Sequence, residues 1–358
     1  MNNNKKKILL ISRNQFGYLI DYMYYYEYLS KNYDVQYICM DSGKPKINHA
    51  FQENIQYTPY NKYKMIRAFI FLCEIVFGIF KKKYDYIILL YFPYCRFLSY
   101  FNRNIILDIR TLSVDKDEKI RKKANNLIIG DCRYFDRINV VSRQVKSFLL
   151  ESLPNKIEIN VIGLGGKNFK TKNKYIDGLK LLYVGTLTNR DVLNTVKYLQ
   201  SYIEMRSEKK NLNVEYHIIG DGEDIIPIEN YVYQNNLTKQ VFIHGFKPQN
   251  ELHKYYDVCN IGVAYVPRND YYKYQPATKI YEYLSSNLFV IASNYSDLSD
   301  SINHGINGYE IDNTENDFHD ALDYYLMNRV SIASHFDDTN ISFTWEKVVY
   351  EQLMKVLK

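Results

Sequence analysis

Residues 273–293 of the 358-residue chain read KYQPATKIYEYLSSNLFVIAS. Thr278, Lys279 and Glu282 stand close behind a proline and ahead of an apolar, strand-like run. A helix beginning near Thr278 leaves its first backbone N–H groups without partners inside the helix. Those groups, with the positive end of the helix dipole, attract an anion such as a diphosphate. Thr278 would add a hydroxyl and Lys279 a cation. Glu282 shares their face one turn on and would offer a carboxylate to the two vicinal hydroxyls of a ribose. A capping threonine followed by a surface Lys–Glu pair satisfies the same letters, and the pattern alone does not choose between them. Three glycine-marked turns fall in the same half of the chain: VGTLTNR with Gly185, IGDGED with Gly220 and Gly222, and IHGFK. Glycine at a strand end lets backbone approach a ligand closely or adopt a positive φ. No GxGxxG follows the first strand and no Walker motif occurs, which argues against a nicotinamide or flavin cofactor.

Such groups need elements to hold them in place. In the first half KKKILLIS, DVQYICM, YDYIILLY, NIILDI, RINVVS and IEINVIG read as strands. Helical stretches lie between them at about 16–29, 65–80, 116–129 and 144–151. Glycines and lysines without apolar period mark 164–178 as the linker. The alternation then restarts with LKLLYVG, VEYHIIGDG, QVFIHG, NIGVAYVP, FVIAS and GINGYEI, with helices at 192–205, 228–235, 250–256, 278–285 and 316–327. A tail, SFTWEKVVYEQLMKVLK, has one apolar face at helical spacing. Apolar strands alternating with helices imply parallel sheets covered on both faces. The expected class is α/β: two Rossmann-like doubly wound domains facing across a cleft, with ligands beyond the carboxyl ends of the strands.

Composition narrows the function. The 46% hydrophobic and 24% charged fractions are those of a soluble globular protein. A net charge of +6 is too mild for a nucleic-acid groove, and suits an anionic small molecule or a negatively charged membrane surface. The five cysteines are scattered, without metal-ligand spacing, as expected of reduced thiols in a cytoplasmic protein with no structural zinc. The start, MNNNKKKILLIS, reads as a first strand rather than a signal peptide. The apolar run 65–80 is broken by Arg67 and Glu74 and is too short to span a bilayer. It reads as a helix on a sheet, or one lying at a membrane surface beside Lys62, Lys64, Arg67 and Lys81, Lys82 and Lys83.

The segment PATKIYEYLSSNLFVIAS resembles the donor-site signature of the bacterial family-four (group 1) retaining glycosyltransferases of GT-B fold. LLYVGTL with Arg190, then HIIGDGE, then VFIHGFKPQNELHKYYDVCNIGVAYVP follow that family's order; DIR (108–110), INVVS, VIGLGGKNF and SFTW extend the likeness over nearly the whole chain. The resemblance implies an N-terminal acceptor-binding domain at 1–167, a C-terminal nucleotide-sugar-binding domain at 168–340, and a helix at 341–358 packing back on the first domain. It matches Glu282 to the second of two glutamates eight positions apart, the one that contacts the ribose; the first falls at Tyr274 and is missing. Arg190 and Lys279 would hold the diphosphate, since Thr186 stands where an arginine is common. Phe246 and Lys247 match the segment that meets the base, with Gly185 and Gly220 near the ligand. Gly17 lies in an acceptor-side loop close to the diphosphate. Asp108 or Arg110 would stand near the reacting sugar, unless they form a buried strand-end ion pair.

The implied activity is retaining transfer of a hexosyl or N-acetylhexosaminyl group. The donor is a nucleotide-diphosphate sugar; the acceptor is a glycan or lipid-linked sugar of a cell-surface polysaccharide. No metal or cofactor is implied beyond the nucleotide-sugar as co-substrate. The expected place is the cytoplasm, including the inner face of the cell membrane. The departures at Tyr274 and Thr186 leave a second reading: a degenerate, non-catalytic partner subunit that binds nucleotide or protein.

Overall fold

The computed structural model describes residues 5–47, 52–102, 104–170, 177–206, 213–275, 277–295, 301–338 and 343–358. Pro276 and residues 171–176 of the linker stretch lie outside them. Internal contacts divide the chain into two units, Met1–Leu164 together with Trp345–Lys358, and Gly165–Thr344.

The N-terminal unit runs β1 (Lys7–Ser12), α1 (Ile20–Leu29), β2 (Asp34–Met40), β3 (Ile55–Thr58), α2 (Lys64–Lys81), β4 (Tyr86–Leu90), β5 (Ile105–Ile109), α3 (Glu118–Cys132), β6 (Arg137–Val140), α4 (Arg143–Leu150) and β7 (Glu158–Val161). Its sheet has the order β3-β2-β1-β4-β5-β6-β7 with every pairing parallel. The inner strands are buried on both faces, which is why they read as unbroken apolar runs. β3 escapes the sequence pattern because it is a four-residue edge strand, IQYT, with two polar residues. α1 starts at Ile20, four residues later than expected. Gly17 takes φ +86°, outside the helical region, and Phe16 turns inward to meet Tyr26 and Tyr37 edge-on, with ring centroids 5.4 and 5.2 Å away. Asp117 caps α3, accepting from the Lys119 and Ile120 amides.

The C-terminal unit runs β8 (Leu179–Val184), α5 (Val192–Met205), β9 (Val214–Ile219), α6 (Ile225–Gln234), β10 (Val241–Ile243), α7 (His253–Tyr256), β11 (Ile261–Ala264), α8 (Thr278–Ser285), β12 (Phe289–Ser293), β13 (Gly308–Ile311) and α9 (Glu315–Asp338). Its strands pair in parallel in the order β10-β9-β8-β11-β12-β13. Alternate residues of one strand enter opposite cores. Leu179, Leu181 and Tyr183 join one, while Leu182 and Val184 join the other. α9 continues eleven residues past the expected end at 327, burying Ile332 in the first of these cores.

One glycine fixes α8 on this sheet. A Cβ at Gly262 would lie 2.3 Å from the ring of Tyr283, so only glycine in β11 lets that ring lie flat. The buried Tyr283 hydroxyl in turn accepts from the Val184 amide at 2.9 Å, joining α8 to the end of β8. Gly262→Ala is expected to cost about 1–3 kcal/mol by overpacking, read as a lowered thermal midpoint. An unchanged midpoint would mean the ring has room to move.

After α9 the chain closes with α10 (Trp345–Val348), a π turn at Val349–Leu353 and α11 (Met354–Val356), which return to α1. The Trp345 ring stacks on Tyr24 at 5.6 Å, and Tyr350 meets Tyr28 edge-on at 6.0 Å.

Candidate functional site

In the second sheet the order of strands reverses between β8 and β11, the place where doubly wound sheets bind ligands. A cavity of about 310 Å³ opens there. Tyr183, Val184, Gly185, Thr186 and Arg190 line it from the end of β8; Ala264, Tyr265 and Val266 from β11; and Gln275, Ala277, Thr278 and Lys279 from the approach to α8.

The loop after β8 is held by its own backbone. Gly185 donates to the Ile219 carbonyl at 3.0 Å, Leu187 to the Asp221 carbonyl at 2.9 Å, and the Tyr183 hydroxyl to the Thr186 carbonyl at 2.7 Å. Gly220 does not line the cavity but makes this arrangement possible. A Cβ there would fall 1.7 Å from the Gly185 carbonyl oxygen, so no other residue allows the two turns to close on each other. Arg190 lies between Asn189 and Asp191, both left-handed at φ 56° and 52°. Its guanidinium sits over the Tyr272 ring, 4.4 Å from the centroid. The Tyr272 hydroxyl donates to the Asn189 carbonyl at 3.0 Å. No carboxylate pairs with Arg190 among the described residues.

At the third wall, the residue before α8 is Ala277, and no side chain among the described residues caps the helix. Thr278 therefore stands inside the helix rather than capping it. The uncapped start faces the same cavity as Arg190, as Ala277, Thr278 and Lys279 all line it. Lys279 Nζ lies 2.5 Å from Glu282 Oε2, and the buried Tyr256 hydroxyl donates to the same oxygen at 3.3 Å. Burial first, and then the Glu282 charge, push the Tyr256 phenol well above its ordinary range, so it stays a donor.

The structure thus gathers Gly185, Thr186, Arg190, Thr278 and Lys279 around one cavity. Glu282 is set back from it, its side chain 12% exposed and its Oε2 taken by Lys279 and Tyr256 rather than free for a ribose. Phe246, 73% exposed, and Lys247 follow β10, two strands from β8, and do not reach the cavity. Tyr274 is also absent from its lining. The sequence reading passed over Gln275, whose Oε1 is buried with no hydrogen-bond partner among the described residues while the residue lines the cavity. A glutamine in a loop carries no periodicity or spacing that would have marked it.

In the N-terminal unit Gly17 shapes the turn after β1. Asp108 and Arg110 lie in the interior. Arg110 donates from Nε to Asp21 at 2.7 Å, and from Nη1 and Nη2 to the Ile162 and Gly163 carbonyls at 2.7 and 3.0 Å. Asp108, fully buried, is 3.7 Å from the same guanidinium. Asp108 and Arg110 thus form a buried charge cluster at the end of β5, the strand-end ion pair that the sequence left open beside a place near the reacting sugar.

Burial raises the Asp108 carboxyl to about 6, against the opposing pull of Arg110. A carboxyl raised by folding binds its proton more tightly in the native state. It favours the fold below its unfolded value near 3.8, and that contribution is lost as pH climbs through about 6. Asp108→Asn is therefore expected to stabilise the protein at pH 7.5, by at most about 3 kcal/mol, and to change little at pH 4. Thermal midpoints of both proteins across that range test it; destabilisation at pH 7.5 would refute it.

Residues 166–339 match the family of glycosyl transferases group 1. No curated protein matches the chain in sequence. Among solved structures, it is similar to a glycosyltransferase from Rickettsia africae at 16% identity and a TM-score of 0.73, covering 99% of this chain and 98% of that one. It is also similar to Anabaena HepE in complex with UDP, at 11% identity and a TM-score of 0.65 over 98% and 99% of the two chains. A third likeness is to a variant of S. aureus TarM in complex with fondaparinux, alpha-GlcNAc-glycerol and UDP, at 13% identity and a TM-score of 0.66 over 99% and 100%. Likeness at such identity speaks for the fold.

Proposed function

From a glycosyl transferases group 1 match over residues 166–339, we propose that the chain transfers a sugar from a nucleotide-diphosphate sugar to a glycan or lipid-linked acceptor, with retention of configuration. The observation that carries this reading is the cavity at the strand-order reversal, where Arg190, paired with no carboxylate among the described residues, and the uncapped start of α8 converge. Departure of a nucleoside diphosphate builds negative charge on the leaving oxygens. A guanidinium and helix N–H groups fixed in advance around that charge lower the barrier without reorganising during the reaction. Lys279 supplies the second cation. An entering diphosphate competes with Glu282 for its ammonium, and the carboxylate so released accepts from the ribose hydroxyls. Gly185 brings backbone close to the phosphates, and Gly17 lets its loop serve the acceptor. The UDP complexes of HepE and TarM favour a uridine nucleotide. A hexosyl or N-acetylhexosaminyl donor, assembly of a cell-surface polysaccharide and a place at the cytoplasmic face of the membrane complete the proposal.

Tyr274, standing where the family's first acid would be, favours one other reading, a nucleotide-binding partner without turnover. A thermal-shift panel of uridine, guanosine and adenosine diphosphate sugars, followed by an assay for nucleotide release, separates the two. A true donor at about 100 times its Kd stabilises by roughly 2.7 kcal/mol, and release of its own nucleoside diphosphate should follow. Stabilisation with no release, across the panel and with glycan acceptors present, favours the partner subunit. No stabilisation by any nucleotide overturns both.

A further inference from the structure

α2 carries two apolar faces, and the sheet uses one. Phe71, Ile75, Gly78 and Ile79 are buried against β2 and β3. On the opposite side Ile66, Phe69, Cys73, Phe77 and Phe80 recur at intervals of three and four, an arc of about 80° at 3.6 residues per turn. All five are exposed, and Phe69, Phe77 and Phe80 are 68%, 64% and 67% accessible. A helix apolar all round is normally buried on all sides, and a contiguous exposed apolar patch marks an interaction surface. The stripe widens into an almost purely apolar groove of about 570 Å³ that closes on Phe97 and Phe101, the latter meeting Phe80 edge-on at 6.0 Å. No described helix is long and apolar enough to cross a membrane.

The charges around the stripe decide its occupant. Lys62 and Lys64 stand at its start, and Lys81, Lys82 and Lys83 at its end. The single acid of α2, Glu74, is turned off the stripe and accepts from the Thr58 hydroxyl at 2.5 Å. Two copies of this helix, paired in either direction, would set lysines against lysines with no acid between them. An anionic surface with an apolar interior satisfies both features at once: the phenylalanines enter it and the lysines meet its headgroups. We infer that α2 is the element by which the protein docks on an anionic phospholipid bilayer, its Phe69, Phe77 and Phe80 edge immersed. This deepens the proposal of a lipid-linked acceptor at a membrane face, yet stands on the surface of α2 and not on the donor cavity.

Flotation of the full chain with vesicles tests it. The protein should float with vesicles of phosphatidylcholine containing one-third phosphatidylglycerol, bind pure phosphatidylcholine at least tenfold more weakly, and lose binding as salt rises. Phe69→Ser combined with Phe77→Ser and Phe80→Ser should abolish flotation, and Lys81→Glu with Lys82→Glu and Lys83→Glu should weaken it at least tenfold. Thermal melts establish that the variants fold. UDP-sugar stabilisation should be unchanged in both, so failure of this inference and of the donor reading are told apart. Equal flotation of variant and parent, or no flotation of the parent, overturns it. So does a concentration-dependent dimer in sedimentation that the serine variant dissolves, which would assign the stripe to a second copy.

Discussion

Replacing Arg190 with alanine is expected to lower kcat/KM for a UDP-sugar donor by about 10²- to 10³-fold, the usual loss when one fixed donor to a developing oxyanion is removed. The thermal midpoint should hardly move. The argument rests on how the residue is held. Its guanidinium leans on the Tyr272 ring at the edge of the cavity and is offset by no acid among the described residues, so its charge is available to a ligand. Lys279, by contrast, already spends its charge on Glu282. Loss of Arg190 should therefore cost more than loss of Lys279. Arg190→Lys should fall between parent and alanine, because lysine keeps the charge but not the planar face that stacks on tyrosine. Steady-state kinetics of the three proteins decide it; an alanine variant within threefold of the parent would place the diphosphate elsewhere.

Arg110→Met is expected to remove about 3–5 kcal/mol of stability, the range for a buried ion pair broken from one side. Two buried carboxylates, Asp21 and Asp108, would lose their counter-charge, and the carbonyls of Ile162 and Gly163 their donor. Burial works against this guanidinium, but Tyr25, Asp21 and Asp108 outweigh it and raise its pKa, so it stays charged at any working pH. Adding Asp108→Asn to the methionine variant should recover part of the loss, since one uncompensated charge is gone. Urea unfolding and kcat of the folded fraction test the assignment together. Parental stability with a collapsed kcat would return Arg110 to the chemistry.

The strand and helix alternation was legible because strands buried on both faces leave long apolar runs, as in YDYIILLY, and because the glycine turns punctuate the chain. β3 was not, since a short edge strand has one solvated side and no distinctive run. At the site, the Thr278 and Lys279 pair and Arg190 stood out as cations and helix-start residues, and the fold sets them around one cavity. What the letters could not carry was direction. Glu282 has the right spacing for a ribose, yet its carboxylate is drawn back by Lys279 and Tyr256, a partner 26 positions earlier. Asp108 and Arg110 look like a polar strand end, but Arg110 is tied to Asp21, 89 positions away in sequence. Gln275 carried no signal.

The return of α10 and α11 to α1 means that the unit containing β1 is completed only after the other unit has been made. Tyr24 and Tyr28 wait for Trp345 and Tyr350, which emerge only after all of Gly165–Thr344 has been made. A nascent chain therefore exposes an aromatic face throughout most of its synthesis, a segment prone to premature association. Translation halted anywhere before residue 345 would leave that face bare, whatever the state of the cavity beside Arg190.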